Sequence, residues 1–351
     1  MSLPTFSQKL SNDGNIYSIN FLNDLLKQQK TLSINAEAEL SLIEKTSETN
    51  TNLKSDYAYA EDFVICGQAI NLYTLQNIFR EYFLSHACSL VISSHPLNMQ
   101  FSRQVLNVTV FHNNAKKLIT TQFNLSLSKS YFLDCFNVSE VKVSVPGVLV
   151  MDMDSTIIDM ECIDEIAALN NRGEQVAALT ERAMQGELDF NQSLVARVSC
   201  LKGIELNQLE ALRSRLPVNP GFAATISYLQ EKGWVTCIAS GGFTYFADYL
   251  KTSFNLNKAV SNVLTVADNK LVGKVEGDIV NAETKKQVLL DCMKHHNLNQ
   301  SIAIGDGAND LVMMEAASLG VAYKAKAKVQ AAADANIHYC GFEGLLYALK
   351  Y

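Results

Sequence analysis

The sequence predicts an α/β protein: a doubly wound parallel-sheet core with a small helical cap, preceded by a smaller α+β module. Three observations carry this. First, the uncharged run Gly147-Val-Leu-Val-Met151 leads straight into Asp152-Met-Asp154-Ser155-Thr156. A strand without charge is the mark of one covered on both faces in a parallel sheet. Second, from Phe222 onward short apolar runs alternate with amphipathic helical stretches, the pattern of a doubly wound sheet. Third, the stretch from about 160 to 218 carries helical segments and no convincing strand, as expected of a lid inserted into such a core.

The chain of 351 residues is 48% hydrophobic and 19% charged, enough for a large core and about two domains. Its net charge of −7, with no basic stripe, argues against a nucleic-acid partner. Eight scattered cysteines without a Cys-x-x-Cys pair point to reduced thiols in a cytoplasmic protein. The first residues lack the pattern of a signal peptide, and no apolar run reaches membrane-spanning length.

Residues 1–58 are rich in Ser, Asn, Thr, Lys and Glu and read as a polar, partly disordered segment, with a linker at Glu44–Ser55. Residues 59–146 read as a small α+β accessory domain of β-α-β-β-α-β order. Its strands are expected at Phe63–Cys66, Ser89–Ser93, Val105–His112 and Val141–Val145. Its helices are expected over Leu72–Phe83, where apolar residues recur at helical spacing, and over Leu125–Phe136. An ACT-like amino-acid sensor shares this order of elements, an analogy only; a dimerisation role, giving a homodimer, is the alternative. His86, His95 and His112 stand alone, without partners at metal spacing.

Residues 147–351 read as the second domain. Its cap helices are expected at Glu161–Asn170, Thr180–Gly186, Phe190–Leu201 and Leu206–Leu216. Beyond Pro217 come helix Phe222–Lys232, strand Trp234–Ala239, helix Phe243–Thr252, a polar hairpin near Asp268–Gly273, helix Ala282–His295, strand Ser301–Ile304 and helix Leu311–Ala317.

Three of these strands end in groups that do chemistry. Asp152 and Asp154 follow the first. Ser240 and the amides of Gly241 and Gly242 follow the second, at the expected start of a helix, a setting that suits an oxyanion. Asp306 and Asp310 follow the third, and Lys285 lies near the start of the helix before it. Parallel strand ends lie side by side, so these groups can share one crevice. Crowded carboxylates repel unless a cation or a shared proton intervenes. Oxygen donors without His or Cys favour magnesium over zinc. A divalent cation, an ammonium and backbone amides around one point suit a transferring phosphoryl group.

Taken in order, Asp152-Met-Asp154-Ser-Thr, Ser240-Gly-Gly, Lys285 and Gly305-Asp306-Gly-Ala-Asn309-Asp310 resemble the four motifs of the haloacid-dehalogenase-like (HAD) phosphohydrolases. Within that superfamily the sequence is similar to the phosphoserine phosphatases in their bacterial two-domain form, over residues 146 to 348. The similarity includes Glu161-Cys-Ile-Asp-Glu-Ile-Ala167, Thr180 through Phe190, and Gln192 through Val198. The resemblance implies magnesium-dependent hydrolysis of O-phospho-L-serine to L-serine and phosphate through an aspartyl-phosphate, the last step of serine biosynthesis. It implies Asp152 as nucleophile and Asp154 as general acid and base. Asp152, the Asp154 main-chain carbonyl and Asp306 would hold Mg²⁺. Lys285, Ser240, the Gly241 amide and Asn309 would hold the phosphate, with Asp310 supporting Lys285 or a water on the metal. Glu161 would meet the substrate ammonium and Arg197 its carboxylate, with Met184 and Phe190 excluding water.

Plainer readings exist for each piece. Asp-x-Asp-Ser is common turn chemistry, and Ser240-Gly-Gly fits an ordinary strand–helix turn. Glu161 and Arg197 fit a surface ion pair between lid helices. Gly305 to Asp310 has the outline of a dinucleotide loop, but a carboxylate at Asp310 would repel a pyrophosphate. Two rival functions accompany the main one. The first is a HAD phosphatase or phosphotransferase acting on another small phosphomonoester. The second is a non-catalytic sensor, against which the intact Asp152 and Asp154 argue.

Overall fold

Two sheets organise the chain. The computed structural model describes residues 30–34, 40–44, 56–83, 88–101 and 103–351. By contacts the chain divides into two units, Met1–Glu140 with Ala335–Tyr351, and Val141–Asp334.

The first unit is built on a six-stranded antiparallel sheet, formed by β1 (Lys30–Ile34), β2 (Leu40–Glu44), β3 (Tyr59–Gly67), β4 (Ser89–Ser94), β5 (Gln104–His112) and β6 (Asp134–Asn137). The spatial order is β2-β1-β4-β5-β3-β6. Helices Leu72–Tyr82 and Thr121–Tyr131 supply the β-α-β-β-α-β order. Asn71 and Thr120 cap them, each side chain accepting from a backbone N–H three residues on. Phe63, Ile65, Leu75, Phe79, Leu106 and Leu127 form the core of this unit.

Four expectations are corrected here. The stretch Leu125–Phe136 is not one helix: the helix stops at Tyr131, Phe132 turns left-handed at φ 52°, and Asp134–Asn137 pairs with β3 as a strand. The cause is a long-range contact. The buried Asp134 carboxylate accepts from the backbone N–H groups of His338, Tyr339 and Cys340 at 2.9, 3.0 and 2.7 Å. The same contact gathers Ala335–Tyr351 with the first unit, although residues 147–351 were expected to form one domain. Val141–Val145 is a turn, with Val145 N–H donating to the Lys142 carbonyl, while Val141 and Val143 are buried. Finally, β1 and β2 lie within the segment expected to be polar and partly disordered; they extend the sheet through the pairing Leu32↔Ile92. Residues 45–55 of the expected linker, and His86, lie outside the described residues.

The second unit carries the parallel sheet: β7 (Val148–Met151), β8 (Val235–Phe243), β9 (Lys258–Ala267), β10 (Lys270–Glu276), β11 (Ser301–Gly305) and β12 (Leu319–Tyr323), in the order β10-β9-β8-β7-β11-β12. All neighbours are parallel except the β9–β10 hairpin. Asp268 and Asn269 close that hairpin with φ 49° and 59°, residue types that tolerate the left-handed region. Val148, Leu149, Val150 and Met151 are fully buried, so the central strand is apolar because helices cover both faces. The cap comprises helices Cys162–Ala168, Gly173–Met184, Phe190–Ser199 and Leu206–Arg213. Asp189 and Gln192 form a reciprocal capping box that starts the third of these. Among the described residues no helix is long and apolar enough to cross a membrane.

Candidate active site

The chemistry-bearing residues enter from the ends of β7, β8 and β11. The strand order β8-β7-β11 places those three ends side by side. Asp152 follows β7 directly, and its backbone N–H donates to the Ile304 carbonyl at 2.9 Å, tying the first and third loops together. Gly305 must be glycine: a Cβ there would lie 2.4 Å from the Asp310 carboxyl carbon. The Gly307 N–H donates to Asp310 Oδ2 at 3.0 Å, so the loop aims Asp310 inward.

Lys285 projects from helix Ala282–His296 and is fully buried. Its Nζ lies 2.6 Å from Asp310 Oδ1 and 3.0 Å from Asp152 Oδ2. Burial pulls the Lys285 pKa down, but the Asp152 and Asp310 carboxylates outweigh it and hold the ammonium above its ordinary value. Removing either carboxylate would leave a buried charge poorly compensated. Oxygens of Asp152, Asp306 and Asp310 lie within 4.8 Å of one another, a group of hard donors sized for a cation. The Asp154 side chain stands outside that group. Burial, then the charges of Asp152 and Asp310, push the Asp306 carboxyl up to about 7.

Asp154 is held differently. Its Oδ1 accepts from the Cys162 N–H at 3.3 Å, at the start of the first cap helix. A Cβ on Gly242 would fall 2.6 Å from Asp154 Oδ2, so this carboxyl packs directly on the β8 backbone. Burial, reinforced by Glu161, raises its pKa to about 8. The β8 loop departs from expectation. Gly241 and Gly242 do not open a helix: the strand runs on to Phe243, with its register shifting between Ala239 and Phe243, and the helix begins at Thr244. The Ser240 hydroxyl accepts from the Gly242 N–H at 3.0 Å instead.

A cavity of about 480 Å³ opens over these groups. Of the residues singled out from sequence, Asp152, Asp154, Glu161, Phe190, Arg197, Ser240, Gly241, Asp306 and Asn309 line it. Lys285 and Asp310 lie behind Asp152 as a buried ion pair. The ring of Phe190 reaches from the cap to Gly241, where a Cβ would come within 3.1 Å of it. Arg197 Nε is buried with no hydrogen-bond partner among the described residues. Glu161 and Arg197 do not form the lid ion pair offered as a plainer reading; Glu161 accepts from the Ser155 hydroxyl at 2.8 Å. Met184 ends its cap helix, and its side chain lies outside the described residues. A second cavity of about 520 Å³, around Leu206, Arg213, Tyr245 and Tyr249, has no cluster of carboxylates.

Comparison with known proteins bears on this geometry. Residues 147–318 match the family of haloacid dehalogenase-like hydrolases. Phosphoserine phosphatase of Vibrio cholerae serotype O1 is 48% identical over 228 residues, covering 64% of this chain and 70% of that protein. The chain belongs to the phosphoserine phosphatase family. The crystal structure of a probable phosphoserine phosphatase from Vibrio cholerae, in unliganded form, superposes with a TM-score of 0.68 at 37% identity, covering 82% of this chain and 86% of that one. A phosphoserine phosphatase carrying a phospho-aspartyl intermediate analogue superposes with a TM-score of 0.55 at 35% identity, covering 59% of this chain and all of that one (100%).

Three residues that sequence reading passed over, Asn262, Lys326 and Lys328, join the candidate site of this member of the phosphoserine phosphatase family, and Ser155, read from sequence only as part of the first motif, gains a specific partner. Ser155 adopts φ 55°, a left-handed turn that lets its hydroxyl reach Glu161. Asn262, buried on β9, donates to the Gly241 carbonyl at 2.8 Å and accepts from the Val280 N–H at 2.9 Å. It thereby couples the β8 loop to the segment leading into the Lys285 helix. No local pattern marks Asn262, because both its partners are distant in sequence. Lys326 and Lys328 line the cavity as well. Their signal was the alternation Lys324-Ala-Lys326-Ala-Lys328.

Proposed function

We propose that the chain hydrolyses O-phospho-L-serine to L-serine and inorganic phosphate, with Asp152 as the nucleophile. The observation that carries this is the Lys285 ammonium held between Asp152 and Asp310 beneath an open cavity whose lining includes Asp154 and Asp306. Asp152 Oδ attacks phosphorus, and the bond from phosphorus to the seryl oxygen breaks. Asp154, buried and packed on Gly242, delivers a proton to that oxygen as it leaves. It then takes a proton from the water that attacks phosphorus of the phospho-Asp152 acyl phosphate, breaking the bond from phosphorus to the Asp152 oxygen and restoring both carboxyls. Lys285 and the Ser240 hydroxyl offset the charge on the phosphoryl oxygens. The Asp152, Asp306 and Asp310 oxygens, all hard donors, fit Mg²⁺. Bound there, Mg²⁺ supplies Lewis-acid polarisation of the phosphoryl group.

The cap supports serine as the alcohol. Arg197 brings an unpartnered Nε to the cavity and so suits the substrate carboxylate, while Glu161, oriented by Ser155, suits its ammonium. Phe190 against Gly241 closes the space where water would otherwise compete. The related phosphoserine phosphatase solved with a phospho-aspartyl intermediate analogue supports a covalent aspartyl intermediate here. The test is phosphate release from O-phospho-L-serine by the full chain with Mg²⁺, followed by addition of chelator. Turnover that stops with chelator and returns with Mg²⁺ is expected. No turnover of phosphoserine beside rapid turnover of another phosphomonoester would overturn the substrate assignment.

A further inference from the structure

We propose that Lys326 and Lys328 form a cationic rim that captures the doubly charged phosphate end of the substrate and counters the cavity's own negative field. The proposal rests on the phosphomonoesterase reading above. The cavity lining presents five carboxylates, those of Asp152, Asp154, Glu161, Asp164 and Asp306. Its cations, among the described residues, are Arg197, Lys326 and Lys328. A phosphomonoester arrives with a charge of about −1.5 to −2 at neutral pH. Such a ligand is repelled by the lining on approach, and Lys285, buried and already paired with Asp152 and Asp310, exposes no charge at the mouth. Without the two lysines, Arg197 would be the only cationic side chain of the lining, against Asp152, Glu161, Asp164 and Asp306 once Asp154 holds the proton it donates, and a Mg²⁺ bound at Asp152 and Asp306 would offset only part of that charge.

The local structure frees these two ammonium groups for that role. Lys324, Lys326 and Lys328 are all exposed, but they are not equivalent. The Lys324 ammonium is 3.1 Å from Asn219 Oδ1, lies over the Tyr323 ring, and is absent from the cavity lining. Neither the Lys326 nor the Lys328 ammonium has an ion pair or hydrogen bond among the described residues. Their backbone is held, because Ala325 and Val329 are buried on either side and Val329 itself lines the cavity. A fixed stem with a mobile, hydrated charge suits long-range capture rather than a rigid contact. Fields of this kind raise association rates by about 10-fold to 10³-fold and weaken steeply with salt.

The test compares the full-length wild type with Lys326→Gln/Lys328→Gln and with Lys324→Gln, measuring phosphate release with Mg²⁺ from about 0.02 M to about 0.5 M ionic strength, a range that shortens the screening length several-fold. In the double variant kcat/KM for O-phosphoserine is expected to fall about 5- to 10-fold at low salt, mostly through KM, and to approach wild type at high salt. Lys324→Gln should keep the wild-type salt dependence. A double variant with wild-type salt dependence, or with the same loss at every ionic strength, would overturn the rim. Inorganic phosphate binding, followed by calorimetry across the same salt series, is the second readout. If wild-type protein turns over no phosphoserine, the functional reading fails, yet phosphate affinity still tests the rim. A loss of affinity confined to low salt sustains it; an unchanged affinity sinks it. Should the double variant fail to fold, the two single variants carry the same comparison, each with a smaller salt-dependent loss.

Discussion

Buried aspartates occur in both units, and they live by opposite rules. In the first unit Asp134 is fully buried and accepts three backbone N–H groups from residues 338 to 340. Its carboxylate oxygens are met by backbone donors, so it holds a strand to a loop. In the second unit Asp152, Asp306 and Asp310 crowd within 4.8 Å with one lysine between two of them. No hydrogen bond to the Asp306 carboxylate is present among the described residues. A carboxylate saturated by its own fold is structural; one left without a donor beside a cavity and two other carboxylates, as Asp306 is, suits a cation and a substrate.

That contrast can be broken by mutation. The largest effect should come from Asp152→Asn, which removes the nucleophile and one of the two carboxylates that compensate buried Lys285. We expect phosphoserine turnover to fall at least about 10³-fold, with a loss of thermal stability limited by the remaining Lys285–Asp310 pair. Turnover near wild type in purified protein would remove Asp152 from the mechanism. Asp134→Ala should show the reverse pattern in the first unit: three N–H groups lose their acceptor, at a cost on the order of 4 kcal/mol in urea unfolding. A change under about 1 kcal/mol would mean that those groups find other partners readily.

His95 sharpens the comparison through pH. It is buried in the first unit against the rings of Tyr347 and Tyr351, its Nδ1 accepts from the Leu97 N–H, and burial lowers its pKa from 6.5 to about 4. Between those values the unfolded chain binds a proton that the folded chain does not. Stability is therefore complete above pH 6.5 and falls as pH drops toward 4, by at most about 3 kcal/mol. Denaturant melts of wild type and His95→Asn across this window measure it; equal slopes would show that His95 is not the group responsible. The smallest effect is expected at Arg197→Ala, about a 30-fold loss of kcat/KM on phosphoserine, or about 2 kcal/mol, with an aryl phosphate nearly unaffected. Equal losses on both substrates would indicate collapse of the cap.

Much of the second unit is legible in the amino-acid sequence. The Asp152, Ser240 and Asp306 segments each carry a strand end and a chemical group within a few residues, and Lys285 lies in the first turn of an amphipathic helix, so local pattern suffices. The first unit is less legible. The false helix over Leu125–Phe136 arises because the apolar residues keep a helical spacing, while the force ending the helix comes from residues 338–340. The pair β1 and β2 escapes notice because five-residue strands in polar surroundings show too few repeats to register as alternation.

Residue order along the chain was therefore enough to single out the candidate acids and amine and to expect the helical cap, since phosphoryl chemistry calls for particular side chains near strand termini. Folding had to decide the rest: that Lys285 sits between Asp152 and Asp310, that Asn262 braces the Gly241 carbonyl, that Glu161 answers to Ser155, and that two lysines near residue 327 face the cavity. These are contacts whose energy depends on distance and burial, and separation in sequence carries no information about either.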